Sequence, residues 1–247
     1  HRDGILVNAD SPEAFEEIFW RSFCRDSYIH DKCLTPHRID KDTLEKFRLF
    51  VSSAVNSADD PRQTRYLSKN NNNLLRLPAI TKAFPDAVII VPFRDPVQQS
   101  LSLMNQHQRF CQRQEQDPFS LKYMNWLAHH EFGLGHKPFE FGSSCADPEA
   151  YHPGEINYWL SIWNNSYQYI LKTAARGTYF LCFERLCTQS SEEIARLYAT
   201  TDIPFDEHFE PSNFVLPPAK SAGEVDPNLI SMCHQTYHKM VQWVLTN

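Results

Sequence analysis

The chain predicts an α/β fold in which helices flank parallel strands, and three observations carry that expectation. Val88 to Phe93 is a short apolar run of the kind that forms a buried strand, and it ends in Arg94-Asp95-Pro96 at the start of an amphipathic helix. Tyr179 to Phe183 repeats the buried-strand pattern just after Gly177. Between Arg65 and Phe110 the order strand–helix–strand–helix implies a right-handed parallel unit. A chain of 247 residues, 42% of them hydrophobic, suits one large domain or two small ones.

Each element has a local cause. Asp10-Ser11-Pro12-Glu13 reads as a capped helix start, and Phe15, Ile18, Phe19 and Phe23 follow as an apolar face. Asp31 to Asp42 is polar and irregular. A second helix is expected over Thr43 to Val55, with Leu44, Phe47, Phe50, Val51 and Val55 inward. Ser57 to Thr64 reads as loop and Arg65 to Ser68 as a short strand. Asn70 to Asn73 then lead into a helix through Leu74, Leu77, Ile80 and Phe84, which Pro85-Asp86 ends. After the Val88–Phe93 strand, Pro96 opens the next helix. Phe119 to Phe132 is expected to be helical and Phe139 to Pro153 loop. Tyr158 to Thr173 forms a tryptophan-rich helix. Ser190-x-x-Glu193 has the form of a capping box before a helix to Tyr198. Ser212 to Gly223 is proline-rich loop. Asp226-Pro227 starts a last helix with the stripe Ile230, Cys233, Tyr237, Met240, Val241 and Val244.

Composition removes several functions. The net charge is −6 and no run of five basic residues occurs, which argues against a nucleic-acid partner. No apolar run approaches the ~20 residues of a membrane span. No basic region followed by an apolar stretch marks a signal peptide. The seven cysteines are odd in number and include no C-x-x-C, so they read as thiols of a reducing, cytoplasmic compartment. No G-x-x-x-x-G-K-[ST] loop is present, and Gly133-Leu134-Gly135 is a bare G-x-G without a helical continuation. The chain starts at His1-Arg2-Asp3 without methionine, so an upstream segment is expected.

An arginine leaving the carboxyl end of a buried strand, beside a helix start, is well placed to hold an anion. On the following helix, at about 100° per residue, Val97, Leu101 and Met104 share one face, which Leu103 and Phe110 extend. Gln98, Ser102, Asn105 and Arg109 share a polar face. Ser102 can therefore turn toward the same solvent edge as Arg94. From spacing alone, the alternative is that Arg94 pairs with Asp95 or caps a neighbouring helix and Ser102 is merely exposed.

FRDPVQQSLSL resembles the 3′-phosphate-binding segment of sulfotransferases, in which a strand ends in Arg-x-Pro and a serine follows eight positions after the arginine, here Arg94 and Ser102. SKNNNNLLRLPAITKAFPDA is similar to the preceding family element, a lysine-bearing turn and a helix before Phe-Pro-Asp-Ala. YFLCFERL resembles the family strand ending in Tyr-Glu-x-Leu, with Phe183 in the tyrosine position, and YWLSIWNNSYQYI its aromatic helix. The likeness runs unevenly over residues 64–245 and is nearest to bacterial members.

The resemblance implies a P-loop NTPase-like α/β domain, a parallel sheet flanked by helices, over residues 1–247 and incomplete at its N-terminus. It implies transfer of a sulfuryl group from 3′-phosphoadenosine 5′-phosphosulfate (PAPS) to a hydroxyl or amine, on a small molecule or carbohydrate, without a metal. Arg94 and Ser102 would hold the 3′-phosphate, Phe183 would contact adenine, and Lys220 in PPAKSAG would belong to a late basic loop. Lys69 would neutralise charge on the bridging oxygen. Simple core packing of Phe183 and a solvated Lys69 are the plainer alternatives.

The chain departs from the family pattern in three places. The late loop lacks Arg-Lys-Gly, the glycine-containing 5′-phosphosulfate loop is not in the sequence, and Asn71 stands where many relatives carry the histidine base. Base candidates are His107, five residues after Ser102, and His129, His130 and Glu131 in LAHHEFGLGH. A zinc site through His129, His130 and His136 is disfavoured, because adjacent histidines on a helix diverge by about 100°. A nucleotide kinase of similar fold would need a lysine-bearing phosphate loop and Mg²⁺ ligands. A binding module that keeps only the 3′-phosphate pocket is the other alternative.

Overall fold

The structure is a computed structural model and describes residues 16–60, 62, 64–142, 147–174, 177–202 and 214–246. Its helices and strands, in chain order, are α1 (Glu16–Tyr28), α2 (Lys41–Asn56), α3 (Leu77–Ala83), β1 (Ile89–Phe93), α4 (Pro96–Gln116), α5 (Pro118–Trp126), α6 (Ile156–Thr173), β2 (Thr178–Cys182), α7 (Phe183–Thr188), α8 (Ser190–Thr201) and α9 (Pro227–Thr246). A 3-10 turn, Asn71–Arg76, leads directly into α3. The expected helix start at Asp10 to Glu13 lies outside the described residues, as do parts of the expected loops at 143–146 and 212–213.

The α/β class holds, with a small parallel sheet among helices. β1 and β2 pair in parallel, Ile89 opposite Thr178 through Phe93 opposite Cys182. Gly177 opens β2 at φ +90, and a Cβ there would come within 3.2 Å of the Ala87 carbonyl. Glycine lets the two strand entrances meet, and the Gly177 carbonyl accepts the first ladder bond, from Ile89 N–H. Since Ile89 points its N–H toward β2, Pro92 points away. Its missing donor costs the pair nothing, and its carbonyl accepts instead from Tyr167 on α6 at 2.8 Å.

Two apolar clusters organise the rest. One gathers Val91, Phe93 and Phe180 of the sheet with Leu101 of α4, Leu160 and Trp163 of α6, and Cys233 and Met240 of α9. Val97 and Met104 pack on it, as the helical projection of α4 requires, and Ser102 is exposed. The other gathers Trp20 and Tyr28 of α1, Phe47 of α2, and Leu75 and Ala83 around α3. Inside it the Arg76 guanidinium is fully buried, 2.8 Å from Glu17 and between the Trp20 and Tyr28 rings, each 4.9 Å away. Burial alone would raise the Glu17 pKa, but the Arg76 charge and hydrogen bonds outweigh it and hold the carboxyl low.

Several expectations need correction. Arg65 to Ser68 is not a strand: Tyr66 turns its hydroxyl to Glu16, Arg65 reaches the Thr201 carbonyl, Leu67 is 78% exposed, and no strand pairs there. The parallel pair is β1 with β2 instead. The capping box at Ser190 does not form. Gln189 is the N-cap, Ser190 Oγ donates to the Leu186 carbonyl, and the Glu193 carboxylate binds Arg185 at 2.7 Å and Arg196 at 2.8 Å. Charge-assisted bonds to two guanidiniums outweigh one bond to a backbone amide. The helix expected to reach Phe132 ends at Trp126, because Ala128 takes a left-handed φ of 55. β2 stops at Cys182, so Phe183 begins α7 rather than ending the strand. Among the described residues no helix is long and apolar enough to cross a membrane.

Candidate active site

Arg94 leaves β1 at the N-terminus of α4, where Asp95 caps the helix by accepting from Gln98 N–H at 2.9 Å and Pro96 fills the first turn. The turn is braced from three sides. Gln99 Oε1 accepts from Arg94 N–H at 3.2 Å and from the Trp163 indole at 2.9 Å, and Gln99 Nε2 donates to the Tyr167 hydroxyl at 3.1 Å. Glu184 Oε1, on α7, accepts from Asp95 N–H at 2.9 Å and so ties the β2–α7 turn to the β1–α4 turn. Gln98 exchanges two hydrogen bonds with the Lys220 backbone, at 2.9 and 2.8 Å.

These contacts bring Arg94, Phe183 and Lys220 to one sheet edge. The Arg94 guanidinium lies 5.0 Å over the Phe183 ring, so one face of that ring is already covered. Glu184 sits 4.0 Å from Arg94 Nε, beyond hydrogen-bond distance, and that nitrogen is buried with no partner. An anion at this edge would find a cation whose position is set and whose hydrogen bonds are not spent. Ser102 lies one helical turn beyond Gln98 on the same face of α4 and is exposed. Gln99 and Glu184 were missed by sequence reasoning, and Gln98 was read only as part of the polar face of α4. Their signals were adjacency only, two glutamines inside FRDPVQQS and a glutamate beside Phe183.

Lys69 is exposed, at the end of an irregular segment, just before four asparagines. Those amides do the local building. Asn70 accepts from Asn72 N–H to start the 3-10 turn and donates to the buried Glu17 at 2.6 Å. Asn71 donates to Glu131 Oε1 at 3.2 Å, and Asn72 donates to the Ala128 carbonyl at 3.3 Å. The Lys69 turn is therefore anchored to α1 on one side and to the loop after α5 on the other.

That loop is in turn braced on α4. Leu134 N–H donates to the buried Gln114 side chain at 2.7 Å, and Gly133 N–H donates to His107 Nδ1 at 3.2 Å. Gly133 has φ +83, and a Cβ there would fall 2.3 Å from Gln114 Oε1, so this position requires glycine. The glycine pair that is no nucleotide fingerprint is thus a packing device. Burial lowers the pKa of His107, whose Nε2 faces Cys111 Sγ at 3.5 Å. Both ring nitrogens of the expected base are engaged inside the protein. His136 contacts the His130 carbonyl and Tyr158 hydroxyl through its two nitrogens, and burial pushes its pKa down to about 4. Tyr158 and Trp159 are core, at 5% and 2% exposure, whereas Tyr123 and Trp126 of α5 are half exposed. Among the described residues no three His, Cys, Asp or Glu side chains group as a metal site would need.

A protein-family model described as sulfotransferase family matches residues 17–207, most of the chain. The match spans Lys69, Arg94, Ser102 and Phe183 but stops before Lys220. No curated protein and no solved structure matches. The chain belongs to the sulfotransferase family, whose members transfer sulfuryl groups.

Proposed function

We propose that this sulfotransferase uses PAPS as donor, on a P-loop-like fold, and sulfates a hydroxyl or amine of a small molecule or carbohydrate. One observation carries the reading. The backbones of strand-end Arg94 and of the distant Lys220 are both tied to the first turn of α4, through the Gln99 and Gln98 side chains, and the Phe183 ring lies beneath the Arg94 guanidinium. A dianionic 3′-phosphate suits such an edge, because guanidinium offers paired donors and the partly exposed Arg94 side chain makes only a long, 4.0 Å ion pair with Glu184.

In this reading Arg94 grips the 3′-phosphate, with Ser102 as a neutral donor and Lys220 as a second cation. Adenine has only the Phe183 face that Arg94 leaves uncovered. Lys69 steadies the negative charge that grows on the bridging oxygen as the sulfuryl group leaves, which is positioning and electrostatic work of the kind phosphoryl transfer also needs.

The test is transfer of radiolabelled sulfuryl from PAPS into a pool of hydroxyl and amine compounds from a cell extract. Labelled product is expected from the wild type. Lys69→Ala should lower turnover about 100-fold, the scale of one lost transition-state donor, while 3′-phosphoadenosine 5′-phosphate (PAP) still stabilises the variant thermally. Unchanged turnover in Lys69→Ala would remove that lysine from the mechanism.

A further inference from the structure

The register of the sheet dictates what meets beyond its edge. Phe93 lies opposite Cys182, so the two parallel chains leave together, Arg94 beside Phe183 and Asp95 beside Glu184. A cation and a carboxylate are thereby brought close. Glu184 Oε1 is 4.0 Å from Arg94 Nε, and the two side chains are 25% and 21% exposed. An arginine and a carboxylate that share a sheltered edge ordinarily close to about 2.8 Å and bond through two parallel N–H donors. This pair stops short of that distance, and among the described residues Arg94 Nε has no hydrogen-bond partner.

What stops it lies around the carboxylate. Glu184 Oε1 accepts from Asp95 N–H at 2.9 Å. Oε2 accepts from the Tyr237 hydroxyl of α9 at 3.2 Å and from the Cys182 thiol at 3.4 Å. Neutral donors from the β1–α4 turn, α9 and β2 thus hold the glutamate by both oxygens. A thiol is a weak donor, so the Tyr237 hydroxyl is the main restraint on Oε2. Its ring is set in turn by packing on Phe93, with centroids 5.5 Å apart. The arginine is held from the other side, its N–H on Gln99 and its guanidinium 5.0 Å over the Phe183 ring.

We propose that Tyr237 is a positioning residue for donor binding. Its hydroxyl holds Glu184 back from Arg94, so the guanidinium is oriented by a nearby charge yet keeps its paired donors for an incoming phosphate. This rests on the reading of Arg94 as the 3′-phosphate ligand. An anion that met a closed Arg94–Glu184 pair would have to break a charge-assisted contact before it could bind. One that meets the held-apart pair is spared that cost, which is preorganisation in its ordinary sense. Glu184 cannot supply this alone, because a carboxylate with an idle oxygen takes the guanidinium itself. The control therefore sits on α9, a helix that contributes no group to the anion.

Tyr237→Phe removes the hydroxyl and keeps the ring on Phe93. PAP binding would be measured by titration calorimetry on the wild type, Tyr237→Phe, Glu184→Gln and the double variant. The Arg94 Nε–H signal would be followed by NMR without ligand, identified from its loss in Arg94→Ala. Tyr237→Phe should weaken PAP binding about tenfold, the scale of one charge-assisted hydrogen bond, and should move the Arg94 signal downfield as Glu184 closes on it. Glu184→Gln has no charge to capture the guanidinium, so adding Tyr237→Phe to it should do neither. Equal weakening in both backgrounds would make Tyr237 a packing residue only and overturn the proposal. An unmoved Arg94 signal in Tyr237→Phe, or PAP bound as tightly as by the wild type, would also overturn it. If PAP does not bind the wild type, it is the donor reading that falls, and the unliganded Arg94 signal still decides whether Tyr237 holds the pair apart.

Discussion

At the Arg94 edge the candidate groups come from the ends of regular elements. β1 delivers Arg94, the α7 start delivers Phe183 and Glu184, and α4 carries Ser102. At the Lys69 turn they come from two loops sixty residues apart, joined by asparagine side chains. The first arrangement inherits its geometry from the sheet register and a capped helix. The second must be held by individual polar contacts, each with few neighbours to replace it.

The comparison breaks most sharply at the buried pair beneath the Lys69 turn. Arg76→Leu leaves Glu17 charged, 1% exposed and unpaired, and should cost about 3–5 kcal/mol in urea denaturation. Because Glu17 also holds Asn70, the remaining folded protein should lose turnover before it loses PAP binding. A cost below about 1 kcal/mol, the range of an exposed pair, would show that this turn is not anchored as described.

Gly133→Ala tests the loop half alone. A left-handed backbone and a Cβ at 2.3 Å from Gln114 Oε1 should cost about 1–3 kcal/mol. Turnover should fall while PAP stabilisation of the folded variant stays near that of the wild type. Equal losses of both would mean that the two halves are one rigid unit.

A smaller effect is expected from acid. His136 stays neutral when folded, its pKa pushed down to about 4, whereas the unfolded chain takes up that proton near 6.5. The folded value is the lower one, so this contribution is complete above about pH 6.5 and is lost as pH falls toward 4. The melting temperature should fall across that window, and His136→Gln should flatten part of the slope. An unchanged slope would take His136 out of the acid response.

What the sequence made legible follows the same division. β1, α4, α6, β2 and α9 declare themselves through apolar periodicity and caps within a dozen residues, and Arg94 with Ser102 belongs to that local grammar. The Arg65–Ser68 strand failed because a strand needs a partner that its own residues do not encode. The Ser190–Glu193 box failed because two arginines compete for the glutamate. The contacts of Asn71, Glu131 and Gly133 were unreadable for the same reason: each reaches at least nineteen residues away in sequence.

The reading of the Arg94 edge meets its most direct test in a thermal-shift comparison of PAP with adenosine 5′-phosphate, on the wild type and on Arg94→Ala. PAP should raise the wild-type melting temperature, adenosine 5′-phosphate should not, and Arg94→Ala should abolish the PAP effect while melting close to the wild type without ligand. Equal stabilisation by adenosine 5′-phosphate, or an undiminished PAP effect in Arg94→Ala, would contradict a 3′-phosphate site at this edge.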